Sequence, residues 1–229
     1  MTPIDNRLQA CADFVTQNGT VCDVGTDHAY LVAYLVSSGK CKSAIAADIN
    51  DGPLAAARQT LEKFGIKDSI KVIKSDGLQN VMPGNITDVV IAGMGAELIA
   101  EIISKADWLK NGVNLILQPM TRVSYLRKWL YSNGYAIVEE KAIRNEKFIY
   151  SIMKVRYFEE IIEIDEVAAN IGKMILTDLT ARAYCEKQAE RLEKAGLGIQ
   201  KSANNSADNE MLITAQRIRK LLEVQDDNS

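Results

Sequence analysis

The sequence holds one histidine, His28, and its four cysteines (Cys11, Cys22, Cys41 and Cys185) form no C-x-x-C pair. A multi-histidine metal centre is therefore excluded and no metal is expected. The thiols read as small buried hydrophobes rather than disulfide partners or zinc ligands. No G-x-S-x-G element occurs, which argues against a hydrolase nucleophile elbow. No apolar run is long enough to span a bilayer, and the first residues, MTPIDNRLQACADFVTQ, lack the basic start and apolar core of an export signal. A cytoplasmic protein is expected. Neither sign of charge dominates, with 27 basic and 30 acidic side chains giving a net charge of −3, so any surface for a polyanion must be local. Aromatics make up 6% of the chain, yet 47% is hydrophobic, ample for a sizeable core.

What is present is an alternation. Apolar residues at Ile4, Leu8, Cys11 and Val15 predict a helix, broken at Asn18-Gly19. Val21–Val24 is a short apolar run stopped by Gly25, as in a buried parallel strand, and a helix is predicted from Asp27 to Ser38. The pattern repeats with strands at 43–48, 70–74, 88–92 and 113–117 and helices at 53–64, 96–105 and 123–132. Short strands alternating with ten-residue helices predict βαβ units and a parallel sheet. Residues 135–142 and 148–155 then follow each other with only a polar turn, Arg144-Asn145-Glu146, between them, so they should pair antiparallel as a hairpin. From about Glu159 the chain reads as largely helical, with Ile161, Ile164, Ala168, Ile171 and Ile175 advancing by three or four. A polar break at 204–209 and renewed helical spacing over 211–224 predict an antiparallel, coiled-coil-like helical hairpin.

The expected fold class is α/β: a Rossmann-like sheet of the class I methyltransferase kind, parallel with an antiparallel C-terminal hairpin, over residues 1–158. An all-α helical extension follows over 159–229. Fold alone does not set activity.

Three acids end successive strands. Asp23 precedes Gly25, Asp48 closes the second strand and Asp76 follows the third. In an open parallel sheet these are the positions that meet a ligand, although an acid at a strand end also serves as a helix N-cap. A dinucleotide fold would carry G-x-G-x-x-G to cradle a pyrophosphate. Only one of those glycines is present, because Asp27, His28 and Tyr30 occupy the turn. S-adenosylmethionine needs no phosphate cradle, and Asp23 suits its cationic groups. Asp48 can accept both ribose hydroxyls, and Asp76 the adenine amino group. Their neighbours Thr26, Ile49, Ser75 and Gly77 share these turns, and Ala92-Gly93-Met94 ends the fourth strand with bare backbone open to close approach.

These residues carry a resemblance. Asp23-Val24-Gly25-Thr26-Asp27-His28-Ala29-Tyr30-Leu31, with Ala92-Gly93-Met94-Gly95 and Leu115-Ile116-Leu117-Gln118-Pro119, resembles the bacterial tRNA (adenine-22-N1)-methyltransferase family, TrmK. The similarity runs through residues 1–158 and less distinctively into the tail. It departs at Val32, where proline is usual, at Ala96, where glycine is usual, and at Met120, where asparagine is common. The resemblance implies methyl transfer from S-adenosylmethionine to N1 of a tRNA adenosine.

Within that implied chemistry Asp27 faces the charge that develops on the base, unless it is only a helix cap. His28 is a further catalytic candidate, and Tyr30 is one for stacking on an extruded adenine. Gln118 and Pro119 would bound the base pocket, and Arg7 and Arg122 would reach substrate. Residues 1–158 carry 18 basic and 16 acidic side chains and residues 159–229 carry 9 and 14, yet Lys187, Arg191 and Lys194 share one helix face that could track phosphates. Arg217 with Lys220, Arg127 with Lys128, and Arg144 with Lys147 are further phosphate candidates. A small-molecule methyltransferase with a helical lid, or a non-enzymatic protein that senses S-adenosylmethionine, would share much of this pattern. An NAD-linked dehydrogenase fits least, for want of the glycines.

Overall fold

The computed structural model describes residues 4–203 and 209–226. Asp5 opens α1 (Asn6–Phe14) by accepting the Leu8 N–H at 2.8 Å, as an N-cap should. Strands and helices then alternate: β1 (Thr20–Val24), α2 (Tyr30–Ser37), β2 (Ser43–Asp48), α3 (Asp51–Lys63), β3 (Ile70–Lys74), β4 (Asp88–Gly95), α4 (Ala96–Ser104), β5 (Asn114–Thr121) and α5 (Val123–Ser132). The hairpin of β6 (Tyr135–Asn145) and β7 (Phe148–Tyr157) completes a seven-stranded sheet in the order β3-β2-β1-β4-β5-β7-β6. The first five strands are parallel, and β7 runs antiparallel to both β5 and β6. Both hairpin strands are longer than the sequence pattern predicts, and the turn is only Glu146-Lys147, with Glu146 at a left-handed φ of 52°.

The period of two along each strand sorts the core. Val21, Val90 and Ile116 pack with α1, α2 and α3, whereas Cys22, Val24, Val89, Ile91, Leu115 and Leu117 pack with α4 and α5. All four cysteines are free and buried, Cys11, Cys22 and Cys41 within these layers and Cys185 in the tail. At the amino ends of the central strands the fully buried Asp88 accepts hydrogen bonds from Thr16 Oγ1 (2.9 Å), Thr87 Oγ1 (2.6 Å) and Asn114 Nδ2 (3.1 Å).

The tail departs from the expectation of continuous helix from Glu159. It forms α6 (Glu166–Ile171), α7 (Leu179–Ala203) and α8 (Glu210–Asp226). Residues 158–165 are non-helical because their apolar side chains are used singly: Ile162 and Ile164 pack on the α4–α5 core, and the Ile162 N–H donates to Tyr131 O at 3.1 Å. Asp165 and Asp178 then cap α6 and α7 through the N–H groups of Ala168 (2.8 Å) and Ala181 (2.7 Å). Of the predicted break at 204–209, all but Asn209 lies outside the described residues. The three helices pack on the hairpin through a separate apolar cluster that includes Ala142, Ile171, Tyr184, Cys185, Ile218 and Leu222.

A buried polar knot ties tail to sheet. Arg127 of α5, fully buried, donates to Glu140 Oε1 (2.8 and 3.1 Å), to the Ala169 and Asn170 carbonyls that end α6 (2.7 and 2.9 Å) and to Tyr184 Oη (3.1 Å). Glu140 also accepts from Ser151 Oγ (2.6 Å) and from the Lys173 N–H (2.8 Å). Gly172 passes beside it at φ 64°, and a Cβ there would lie 2.0 Å from Glu140 Oε2, so only glycine fits. The expectation that Arg127 serves phosphate is overturned, since its guanidinium has no access to solvent.

Candidate cofactor-binding and active site

The strand order reverses between β1 and β4, and crevices form beyond the carboxyl ends of strands at such a point. The crevice here has two halves that share Gly25, Ala92 and Gly93. One, of about 480 Å³, is walled by Ile4, Asp5, Arg7 and Leu8 of the α1 region, by Asp23 and Thr26, and by Asp27, His28, Tyr30 and Leu31 at the start of α2. The other, of about 380 Å³, is walled by Asp48, Ile49, Asn50, Ser75, Asp76, Gly77, Met94 and Leu98.

Strand parity explains the first half. Asp23 lies two residues beyond Val21, and Gln118 two beyond Ile116, so both face the α1 side. Burial pushes the Asp23 carboxyl up to about 6; the neighbouring Thr26 hydroxyl and the Arg7 charge oppose this, and the Asp48 charge adds to it. Arg7 Nη1 donates to Gln118 Oε1 at 2.7 Å, and the same oxygen accepts the Gly93 N–H at 3.0 Å. Gly93 sits at the bulge where β4 slips against β5, at φ 81°, and a Cβ there would lie 3.4 Å from Arg7 Nη1. Gly25, at φ 76°, would bring a Cβ within 2.2 Å of Met94 Cε. Backbone thus lines the floor where the two halves join.

In the second half Asp48 Oδ1 accepts the Asn50 N–H at 2.7 Å, fixing the carboxylate at the mouth. Ile49 is 53% exposed, an apolar face placed for an adenine ring. Ser75 is buried with its Oγ accepting from the Asn80 N–H (3.0 Å), so it shapes the turn and offers a ligand little beyond backbone. Asp76 is exposed and holds Gln79 Nε2 at 3.2 Å.

The mouth differs from the sequence expectation. Helix α2 starts at Tyr30, behind Ala29 at a left-handed φ of 56°, with no side-chain cap. Asp27 is therefore not a helix cap; it stands in the turn before it, 83% exposed at the side chain, with Oδ1 3.7 Å from His28 Nε2. The His28 and Tyr30 rings stack at 5.2 Å between centroids and 14° between planes. Gln118 and Pro119, expected to bound a base pocket, are both buried; Gln118 holds Arg7 and Gly93 from behind, while Met120 is the residue 45% exposed at that strand end. Arg122, at φ 52°, ion-pairs with Glu97 and lies over the Tyr125 ring. On the tail, Arg191 donates to Asn170 Oδ1 (3.3 Å), Lys187 reaches Lys147 O (3.5 Å), and Arg217 is paired with Asp165 (2.6 Å). Asn50 and Leu98 are wall residues that sequence reasoning missed. Leu98 is 46% exposed on a helix whose other apolar residues are buried, which its place among them in the sequence does not reveal.

The wall suits S-adenosylmethionine. Asp23 has the charge for a cationic amino or sulfonium group, Asp48 the acceptors for a ribose diol and Ile49 an apolar face for an adenine, while Gly25 and Gly93, both at positive φ, leave bare backbone on the floor. Among the described residues no three histidine, cysteine or carboxylate side chains cluster to hold a metal, and no helix is long and apolar enough to cross a membrane.

Comparison with known proteins identifies the family. The methyltransferase domain family matches residues 4–153. The tRNA (adenine(22)-N(1))-methyltransferase of Bacillus subtilis (strain 168) is 33% identical over 173 residues, 75% of this chain and 73% of that protein. The crystal structure of the B. subtilis M1A22 tRNA methyltransferase TrmK superposes with a TM-score of 0.80 at 27% identity, covering 99% of each chain. TrmK of M. capricolum, in complex with the cofactor product S-adenosylhomocysteine, superposes with a TM-score of 0.75 at 29% identity over 97% of this chain and 98% of that one. By its sequence, its fold and the crevice at its strand ends, this chain belongs to the tRNA (adenine(22)-N(1))-methyltransferase family.

Proposed function

We propose that the protein transfers a methyl group from S-adenosylmethionine to N1 of adenosine 22 in tRNA. The observation that carries this is the row of acids at successive strand ends, Asp23, Asp48 and Asp76, around a floor of bare backbone at Gly25 and Gly93, in a chain of this family. Gly77 and Thr26 complete the turns that hold those acids. A tRNA substrate places the work in the cytoplasm.

When bound, S-adenosylmethionine supplies a sulfonium-activated methyl group, which the in-plane lone pair of adenine N1 accepts without prior deprotonation. Catalysis then rests on positioning and on charge. Asp23 and Arg7 orient opposite ends of an amino-acid moiety, the former by charge and the latter by its guanidinium, held in place by Gln118. Asp27, exposed beside the crevice, faces the positive charge that methylation leaves on the base, either stabilising it electrostatically or accepting a proton from the exocyclic amine. The stacked His28–Tyr30 pair offers an aromatic surface to an adenine drawn out of its stack. Arg122 with Met120 stands at the rim of the same sheet edge, and residues 159–229, with Lys187 and Arg191, contribute contacts to the RNA.

The test is transfer of labelled methyl from S-adenosylmethionine to unmodified tRNA, with the product nucleoside identified by mass and its position by primer extension. N1-methyladenosine at position 22 is expected. A chain that binds the cofactor but methylates no tRNA, or another atom, overturns the reading.

A further inference from the structure

The β6–β7 hairpin carries a surface that the cofactor crevice leaves unused. Because β7 is antiparallel to both its neighbours, β6 runs in the same direction as β5, and the Glu146-Lys147 turn falls at the sheet's carboxyl edge, beside the crevice. Pairing of β7 with β5 ends at Leu117–Met153, so Phe148–Ile152 are hydrogen-bonded to β6 alone. Asn6 Nδ2 donates to Arg144 O at 3.1 Å, and the next residue, Arg7, lines the crevice. The hairpin tip therefore abuts the crevice wall. From the other side α7 brings Lys187, whose Nζ lies 3.5 Å from Lys147 O.

Three elements thus gather Arg144, Lys147 and Lys187 at one place, all exposed. Unlike Arg122, Lys128, Arg217 and Arg219, none of the three lies within 4.0 Å of a carboxylate of the described residues. Glu146, at the tip, is the one acid of the turn. Beside the cations stands Phe148, 52% exposed, with Lys147 Nζ 5.3 Å from its ring centroid and the Tyr150 ring at 6.2 Å. A large exposed aromatic at a strand end, beside cations without carboxylate partners, matches the two things that single-stranded or looped RNA offers: phosphates and an open base face.

We propose that this junction of the β6–β7 turn with α7 grips the tRNA next to the reacting adenosine, Arg144, Lys147 and Lys187 neutralising backbone phosphates and Phe148 stacking on an unpaired base. It rests on the tRNA reading above. Cations that meet phosphate release counterions, each contact adding about 0.7–0.9 to the slope of log affinity against log salt. The experiment compares the full-length protein, a variant with Arg144→Ala, Lys147→Ala and Lys187→Ala together, and Phe148→Ala, each binding a labelled unmodified tRNA transcript across a salt series. Calorimetry with S-adenosylmethionine follows each. The triple variant should bind roughly tenfold or more weakly, with a slope shallower by about 2 to 3. Phe148→Ala should bind about fivefold or more weakly with its slope unchanged. Cofactor affinity should stay at the wild-type level in both, showing that the fold and crevice are intact. Wild-type tRNA affinity and slope in the triple variant, while the unaltered protein methylates tRNA, would overturn this surface alone. An unaltered protein that neither binds nor methylates tRNA would overturn the functional reading and the surface with it.

Discussion

Replacing Arg127 by alanine should cost far more stability than its distance from the crevice suggests. The side chain is fully buried, and the substitution strands Glu140 as a buried carboxylate that keeps only Ser151 Oγ and the Lys173 N–H. It also deprives the Ala169 and Asn170 carbonyls of their donor at the end of α6, where a helix already has unpaired acceptors. Breaking one side of a buried pair costs about 3–5 kcal/mol. At roughly 2–4 °C per kcal/mol for a chain of this size, the melting temperature should fall by roughly 6–20 °C. Differential scanning calorimetry of Arg127→Ala, Glu140→Leu and an Arg127→Met, Glu140→Leu pair provides the check. The double variant leaves no charge stranded and should lose much less than the two single losses added together. An Arg127→Ala protein melting within about 2 °C of wild type would refute the reasoning. The same knot means that cutting away residues 159–229 removes three acceptors of Arg127 and uncovers its pair with Glu140, so truncation is a poor way to separate the tail's RNA contacts from its packing.

Other outcomes follow from the crevice. Asp48→Ala should weaken S-adenosylmethionine binding by roughly tenfold through loss of a charge-assisted contact to the ribose, and unchanged affinity by calorimetry would remove Asp48 from the cofactor site. Asp27→Ala should slow single-turnover methylation by about a hundredfold while leaving cofactor affinity alone; wild-type turnover would remove it from the mechanism. Asp23, with its carboxyl raised to about 6, has the opposite linkage to a salt-bridged acid. Its protonated form is favoured in the fold, so the ligand-free protein loses about 3 kcal/mol of stability as pH rises from about 4 to about 6 and none above. Cofactor affinity should run the other way, falling up to about tenfold per unit as pH drops below about 6, and a flat calorimetric profile between pH 5 and 8 would contradict this.

Much of the sheet was legible because parallel strands are short apolar runs stopped by glycine or an acid, as at Val21–Gly25 and Ser43–Asp48. The acids of the crevice were legible for the same reason: in such a fold the residue after a strand is at the ligand edge. What escaped was long-range or conformational. Nothing about an alanine announces the left-handed backbone of Ala29, so α2 seemed to begin at Asp27. The three-residue spacing of Ile161 and Ile164 fits a helix, but the chain there is an extended strap that docks Ile162 and Ile164 and leaves Ile161 exposed. The Arg7–Gln118 bond spans 111 positions, and Arg127 looked like one more surface cation because its partners lie on another strand and on α6 and α7.

Two buried aspartates of the one sheet live in contrary circumstances. Asp88, at the amino ends of the strands, is surrounded by three donors of the protein's own and asks nothing of solvent or ligand. Asp23, at the carboxyl ends, is withdrawn from water with its charge opposed by that withdrawal. The molecule is thus internally satisfied at one edge and locally frustrated at the other, and the frustration lies where the proposed function puts a cationic group. A sequence selected for folding alone would relieve it with asparagine or a small apolar residue. That it carries an aspartate there makes the ligand part of the fold's own thermodynamics: cofactor binding should raise the melting temperature by more in wild type than in Asp23→Asn, whose ligand-free form begins higher.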